Sequence, residues 1–467
     1  LQINVNGTGN NADYVTAARI VDGAVWSTLS LFTHEAVTLP VSSPLAGLIS
    51  NPSPDARDIF SADIDVDGNN IIVSSMFNVV SGERAGSVYI YDSLTGNLTL
   101  QIDNPTPDAS DYFGNQVMLS DNYIAVSANG EDATEFNSGR VYIYNRSDGS
   151  LRHTLSDITL DSNEQFGRYM EMTESYTLVS LTSEDNVGNA DGVVRVYDTA
   201  TGTYLYTIAN PEAEDGDQFA YSMAIEGDYA VFGVPYDDNG LTNNTGEVYV
   251  YDLSAQSVVR TISAPASSES GGFGQDVDVY NDYIVVGAPQ VAKGAATQAG
   301  EAYIFEMSTG NLLHTIANPT PSAADYFGNV VAIYGDYFAV SSPYKDSEST
   351  DDEGRVYLYD IATGSLAETI FNPEPQGYDG FGRTLEMEDG YLAISSPYKD
   401  KEYGDEGAAF LYQVDTMSSG NLSGTSSADQ LYGLNGADTL YAGAGNDVLD
   451  GGAGSDVLYG QAGADRF

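Results

Sequence analysis

A phenylalanine followed by a small residue returns seven times along the chain, at Phe60-Ser61, Phe113-Gly114, Phe166-Gly167, Phe219-Ala220, Phe273-Gly274, Phe327-Gly328 and Phe381-Gly382, always 53 or 54 residues apart. A period this long, held through seven copies, points to one supersecondary unit stacked on itself. Each copy has an alternating segment, a tight polar turn, and an apolar run such as Ile284-Val285-Val286-Gly287-Ala288-Pro289. A loop follows, then a Gly and a strongly β-prone stretch such as Val141-Tyr142-Ile143-Tyr144 or Val356-Tyr357-Leu358-Tyr359. After a turn, a fourth segment ends in Thr-Ile, as at Thr315-Ile316. Four short strands per copy without a long amphipathic helix predict a propeller blade. The competing readings, a sandwich or a β-solenoid, rarely keep a four-strand period of this length.

The paired Phe-Gly and Gly-Ala-Pro signals resemble the FG-GAP repeat of integrin-type β-propellers, over roughly residues 45–415. The resemblance implies an all-β chain with a seven-bladed ring. The seventh copy lacks a clear Thr-Ile strand, whereas Leu45-Ala46-Gly47-Leu48-Ile49 before Asn51-Pro52 matches the strand ends before Asn104-Pro105, Asn318-Pro319 and Asn372-Pro373. Residues near 45–50 are therefore expected to pair with blade seven and remove two open sheet edges; residues 417–422 are the alternative source. The expected division is 1–43 as a cap or the end of a preceding module, holding Trp26 and His34, 44–415 as the propeller, and 416–467 as a second repeat region.

In that last region Asp429, Asp438, Asp447, Asp456 and Asp465 recur at intervals of nine. The surrounding pattern, G-G-x-G-x-D-x-U-x, is cleanest in Gly451-Gly452-Ala453-Gly454-Ser455-Asp456-Val457-Leu458-Tyr459. It is similar to the calcium-binding nonapeptide of RTX (haemolysin-type) proteins, a parallel β-roll. Glycine permits the tight turns, aspartate supplies hard oxygen ligands for Ca²⁺, and Leu431, Leu440, Leu449, Leu458 and Phe467 are expected to form an inward apolar ladder. The expected calcium set is the five aspartates with Gly433, Gly436, Gly443, Gly445, Gly451, Gly452, Gly454, Gly460 and Gly463. A flexible Gly/Asp linker is the bland alternative, but a linker has no reason to keep a nine-residue register. The resemblance implies type I secretion. Closely spaced aspartates and little apolar surface would keep such a tail loose at low calcium and fold it outside the cell.

The balance of 16 Lys+Arg against 68 Asp+Glu gives a net charge of −52. So acidic a surface repels phosphate backbones, which argues against nucleic acid, and attracts divalent cations. There is no cysteine, hence no disulfide, thiol catalysis or Cys-ligated zinc. No apolar run approaches membrane-spanning length. The chain opens on Leu1 and stops in mid-repeat at Phe467, so sequence is expected beyond both ends.

Propeller connectivity puts the short 1–2 and 3–4 turns on one face and the long 2–3 and inter-blade loops on the other, where function is expected. The candidate ligand face comprises Tyr236, Asp237, Asp238, Tyr344, Asp346, Asp351, Asp352, Tyr398 and Asp400. Tyrosine rings can stack on sugars while carboxylates accept hydroxyl hydrogen bonds; a solvated acidic rim is the plainer reading. Asp63-Ile64-Asp65-Val66-Asp67-Gly68 opens like a calcium loop, but its siblings make it a strand and turn, and no Glu stands at position twelve. His153 and His314 share an outer fourth-strand position with Leu100, Tyr206, Arg260 and Glu368, far from any central pocket. No G-x-S-x-G, H-E-x-x-H or P-loop occurs. The expectation is a secreted or cell-surface calcium-binding protein whose propeller mediates adhesion or recognition of glycan, matrix protein or another copy. A secreted polysaccharide lyase or hydrolase and a structural element of a surface layer or filament are the alternatives.

Overall fold

The computed structural model describes residues 2–4, 14–16 and 47–467, apart from 56, 94, 134, 157–163, 182–191, 213–215, 239–244, 266–270, 347–351, 400–405, 415–420, 425–429, 433–434, 437 and 452. Trp26 and His34 lie outside the described residues. Gln2–Asn4 pairs antiparallel with Tyr14–Thr16.

Seven antiparallel four-stranded blades make up the body of the chain. Blade one runs Phe60–Asp67, Asn70–Ser75, Ser87–Asp92 and Leu98–Asp103, with a small hairpin (Val79–Val80 against Glu83–Arg84) in its 2–3 loop. Five further sheets repeat that order within 113–155, 170–209, 222–263, 277–317 and 331–371. Blade seven uses Leu385–Glu388, Tyr391–Ser396 and Ala408–Val414, and its fourth place is filled by Gly47–Ser50, antiparallel to 408–411. Residues 421–423 pair instead with Thr439–Tyr441.

The burial pattern explains the strand chemistry. Third strands are covered on both faces by neighbouring blades, so Val356, Tyr357, Leu358 and Tyr359 are all buried. Fourth strands lie on the rim: Leu312 and Leu313 are exposed, and only Ile316 turns inward. All seven repeat phenylalanines are fully buried, and each closes a cluster between two blades. Phe381 joins Val356, Leu358 and Ile370 of the preceding blade. Phe60 and Ile64 join Ile49, Tyr391 and Leu411 across the closure. Burial of one such ring contributes about 1.5–3 kcal/mol, so the Phe repeat is the cement of the ring.

The glycine before each third strand follows from the same contact. Gly300 has φ +85°, and a Cβ there would collide with the Phe327 carbonyl of the next blade. Gly407 stands in the same relation to Phe60, which carries the contact through the closure. Among the described residues, five of the inter-blade loops are braced by an Asn–Asp pair seven residues apart. Asn Nδ2 donates to Asp Oδ2 at 2.8 Å in Asn104–Asp111, Asn318–Asp325 and Asn372–Asp379.

Beyond the ring, strands pair in parallel with a shift of 18 residues, two nonapeptides. Asn421–Ser423, Thr439–Tyr441 and Val457–Tyr459 form one face, and Gln430–Tyr432 and Val448–Asp450 another. This is a β-roll with one turn per two repeats. Leu431, Leu440 and Leu449 are buried in it and Leu458 packs partly against them. Phe467 departs from the expected ladder: it is 70% exposed, because no described strand stacks on it. The roll continues the last blade, since Gln413 and Val414 pair in parallel with Leu431 and Tyr432.

Candidate functional site

Three regions concentrate polar chemistry: the roll, the axial channel and the long-loop face. In the roll, the 18-residue shift sets aspartates above one another in two columns. Asp456 Oδ1 accepts from the Asp438 amide, and Asp465 Oδ1 from the Asp447 amide, each at 3.1 Å. Asp438 and Asp447 are buried. Glycine is required beside the lower carboxylates: a Cβ on Gly451 would stand 2.7 Å from Asp456 Oδ2, and one on Gly460 would overlap Asp465 Oδ2. The glycine turns thus form cradles that bring backbone carbonyls and carboxylates together, the donor set that calcium takes. Among the described residues no three acidic or imidazole groups converge as a metal cluster, so backbone carbonyls would have to complete each coordination shell. Asp429, Gly433 and Gly452 lie outside the described residues; Gly436 and Gly454 sit in paired strand segments.

The axial channel was not legible as a site in the sequence. First strands of all seven blades line a cavity of about 420 Å³, into which blades one, three, five and seven bring Asp63, Asp65, Glu171, Asp276, Asp278 and Glu386. Innermost strands are sheet edges with unpaired amides, and four of these acids satisfy the neighbouring blade. Asp63 and Asp65 Oδ2 accept from Val117 and Leu119 at 2.9 and 2.5 Å. Asp276 and Asp278 Oδ2 accept from Val331 and Ile333 at 2.8 and 2.7 Å. Burial, only partly opposed by these hydrogen bonds, pushes Asp63 and Asp65 up to about 7 and Asp276 up to about 8. Glu171 and Glu386 are raised well above the usual carboxylate range by burial, then by the charge of Asp65. The Asp63–Gly68 stretch is accordingly strand and turn, with Asp67 paired to Arg146. The equivalent histidines act as clasps: His153 and His314 Nε2 meet the Ala200 and Ala362 carbonyls of the next blade at 2.9 and 3.2 Å.

On the long-loop face, the structure divides the candidate residues. Asp237 is buried, its carboxylate 3.4 Å from the Tyr249 hydroxyl. Its place in the loop is taken in blades six and seven by Lys345 and Lys399, also buried. Lys345 Nζ reaches Asp325 Oδ2 and Ser322 Oγ at 3.0 and 3.2 Å. These positions point inward because the turn alternates, and they brace the inter-blade loop rather than face solvent. Tyr236 is half-buried against Tyr221. Asp238, Asp346 and Asp352 reach the surface, and the Asp352 amide donates to Asp346 Oδ1 at 2.9 Å. Asp351 and Asp400 lie outside the described residues. Tyr344 and Tyr398 are exposed and line a pocket of about 260 Å³ between blades six and seven with Pro343, Asp352, Tyr378, Gly380 and Arg383. Sequence reasoning missed Tyr378 and Arg383. The available signal was an aromatic three residues before the repeat Phe, where the other copies carry Arg57, Ser110, Asn163, Gly216, Ser270 and Ala324.

Two family models match the chain in agreement with this architecture. The family model for the FG-GAP repeat matches residues 107–144, 207–251, 257–305 and 317–359. That for the RTX calcium-binding nonapeptide repeat matches 423–458 and 442–467. The chain carries FG-GAP repeats followed by RTX repeats. It is 26% identical to mouse Integrin alpha-2 over 211 residues, covering 40% of this chain and 16% of that relative, and so spans about a sixth of the relative's length. The solved structure of the computationally designed Ika8 protein overlaps 78% of this chain and 98% of its own, with 14% identity and a TM-score of 0.47. Nonapeptides of this family bind calcium. Among the described residues no helix is long and apolar enough to cross a membrane.

Proposed function

We propose that the chain is part of a secreted or cell-surface protein that folds its roll on extracellular calcium and uses the long-loop face of its propeller to recognise glycan. The observation that carries this reading is the pocket between blades six and seven, where Tyr344, Tyr378 and Tyr398 present partly exposed rings next to Asp352 and Arg383. Three tyrosines around one concavity offer flat, rigid contact area with little conformational entropy to lose. Sugar rings, with apolar C–H faces and hydroxyl rims, suit that combination. Matrix protein and self-association are the competing partners for the same face. For the roll, the glycine cradles beside Asp456 and Asp465 support a role for Ca²⁺ in ordering and stacking the turns.

A glycan array, probed with the whole chain in millimolar calcium and again with chelator, tests the reading together with a panel of matrix proteins. Binding to glycans that is lost in Tyr398→Ala supports it. Binding confined to protein, or none at all, overturns it.

A further inference from the structure

We infer that the pocket between blades six and seven selects an anionic sugar, a hexuronate unit whose carboxylate pairs with Arg383; this inference rests on the glycan reading above. In blade six the residue before the repeat Phe is Tyr326, whose ring packs edge-on against Tyr344 at 5.3 Å between centroids. Blade seven has Gly380 at that position, and a Cβ there would meet the Tyr398 ring at 3.0 Å. The face that is covered in blade six is therefore bare over Gly380. The pocket exists because one ring is missing.

Tyr378 stands beside the gap. It is 65% exposed at φ 67°, a left-handed conformation that bulky residues rarely adopt. The fold imposes this φ, since Ser110 and Ala324 at equivalent positions have 74° and 63°. Only this copy places an aromatic ring there.

Arg383 supplies the charge preference. Its guanidinium has no ion pair or hydrogen bond among the described residues, in a chain with 68 acidic and only 16 basic side chains. The neighbouring cations are all engaged: Lys345 with Asp325, Lys399 with Asp379, and Arg355 with Glu353. Arg383 lines both this pocket and the acidic axial channel; turned toward the three tyrosines, its planar guanidinium would match a carboxylate bidentately while the rings receive the sugar's apolar face. A volume of about 260 Å³ is below the usual range for drug-sized ligands. It fits one pyranose unit better than an extended peptide. Because the chain carries −52, its long-range field repels polyanions. Binding should strengthen as salt rises from low ionic strength to near-physiological, where the screening length is about 8 Å.

The test uses the whole chain in calcium, titrated with oligogalacturonate, with the same oligomer after carboxyl reduction, and with oligoglutamate. Tighter binding of oligogalacturonate than of its reduced form is expected. Arg383→Gln should erase that preference and weaken oligogalacturonate roughly tenfold to a hundredfold. Tyr378→Ala, a residue already accommodated at this φ by Ala324, should weaken both sugars with melting temperature unchanged. Equal binding of both sugars, unaffected by Arg383→Gln, overturns the carboxylate selection but leaves glycan recognition standing. Binding of oligoglutamate alone, or of no sugar, overturns both.

Discussion

Acidification from pH 8 to pH 6 should stabilise the propeller, although the chain is built almost entirely of acidic charge. Asp63, Asp65, Asp276 and Asp278 face the axis, and burial raises them to about 7 or 8. Glu388 is raised to about 8 by burial and then by Asp65, and Glu171 and Glu386 are raised well above their usual value, first by burial and then by Asp65. In the unfolded chain these groups titrate near 4. The native state therefore holds protons that the unfolded state has released, and stability falls as pH rises through the folded values. Each such proton contributes about 1.4 kcal/mol per pH unit. Water entering the channel screens part of the effect, so only two protons are counted, giving about 3 kcal/mol across one pH unit. Unfolding entropy of about 2.1 cal/mol/K per residue over a ring of roughly 360 residues converts this to a shift of about 4 °C per pH unit. Calorimetry in 0.5 M salt separates the channel from general charge repulsion, which salt screens. Glu171→Gln combined with Glu386→Gln should raise the midpoint at pH 8 and flatten its pH dependence. A melting temperature that is level or falling between pH 8 and pH 6, or a double variant with an unchanged slope, would refute the reasoning.

Other perturbations probe the joints between repeats. Gly300→Ala places a methyl against the Phe327 carbonyl at φ +85° and should destabilise the ring by more than about 1 kcal/mol, read as a lowered denaturant midpoint. Lys345→Met removes the amino group from buried Asp325, which keeps Asn318 Nδ2 and the Ser322 amide as donors at 2.8 and 2.7 Å. A loss of about 3 kcal/mol is expected for breaking the buried pair, and adding Asp325→Asn should restore part of it. Chelation of calcium should abolish the roll's contribution to circular dichroism while the main propeller transition persists. Calorimetric titration of the chelated chain should then show calcium uptake, reduced in Asp456→Ala; an unchanged spectrum and no heat would remove the roll from the calcium account.

The repeats were legible because each carries its own physical necessity. Phe followed by a small residue at intervals of 53 or 54 residues marks a ring that must be buried and a backbone that must come close, although the small residue is Ser61 in one copy and Ala220 in another. The nonapeptide announces the roll in the same way: its period is the geometry of the stack, and Leu431, Leu440 and Leu449 point inward as their spacing requires. Polar positions were harder to place. Tyr236-Asp237-Asp238 reads as an acidic rim, yet Asp237 turns inward, because one residue of the turn faces the neighbouring loop and its identity changes from Asp to Lys between blades.

Sequence alone determined the repeating unit, the number of its copies and the RTX character of the tail, since these depend on local periodicity. Closure of the ring decided the rest. It brings Asp63, Glu171, Asp276 and Glu386 from four separate blades to one axis, and it leaves Tyr398 uncovered over Gly380 beside Arg383, whose guanidinium has no ion pair among the described residues. Residues more than 50 positions apart have no local signal of their proximity; only the wheel that sets their strands side by side makes their charges and rings act together.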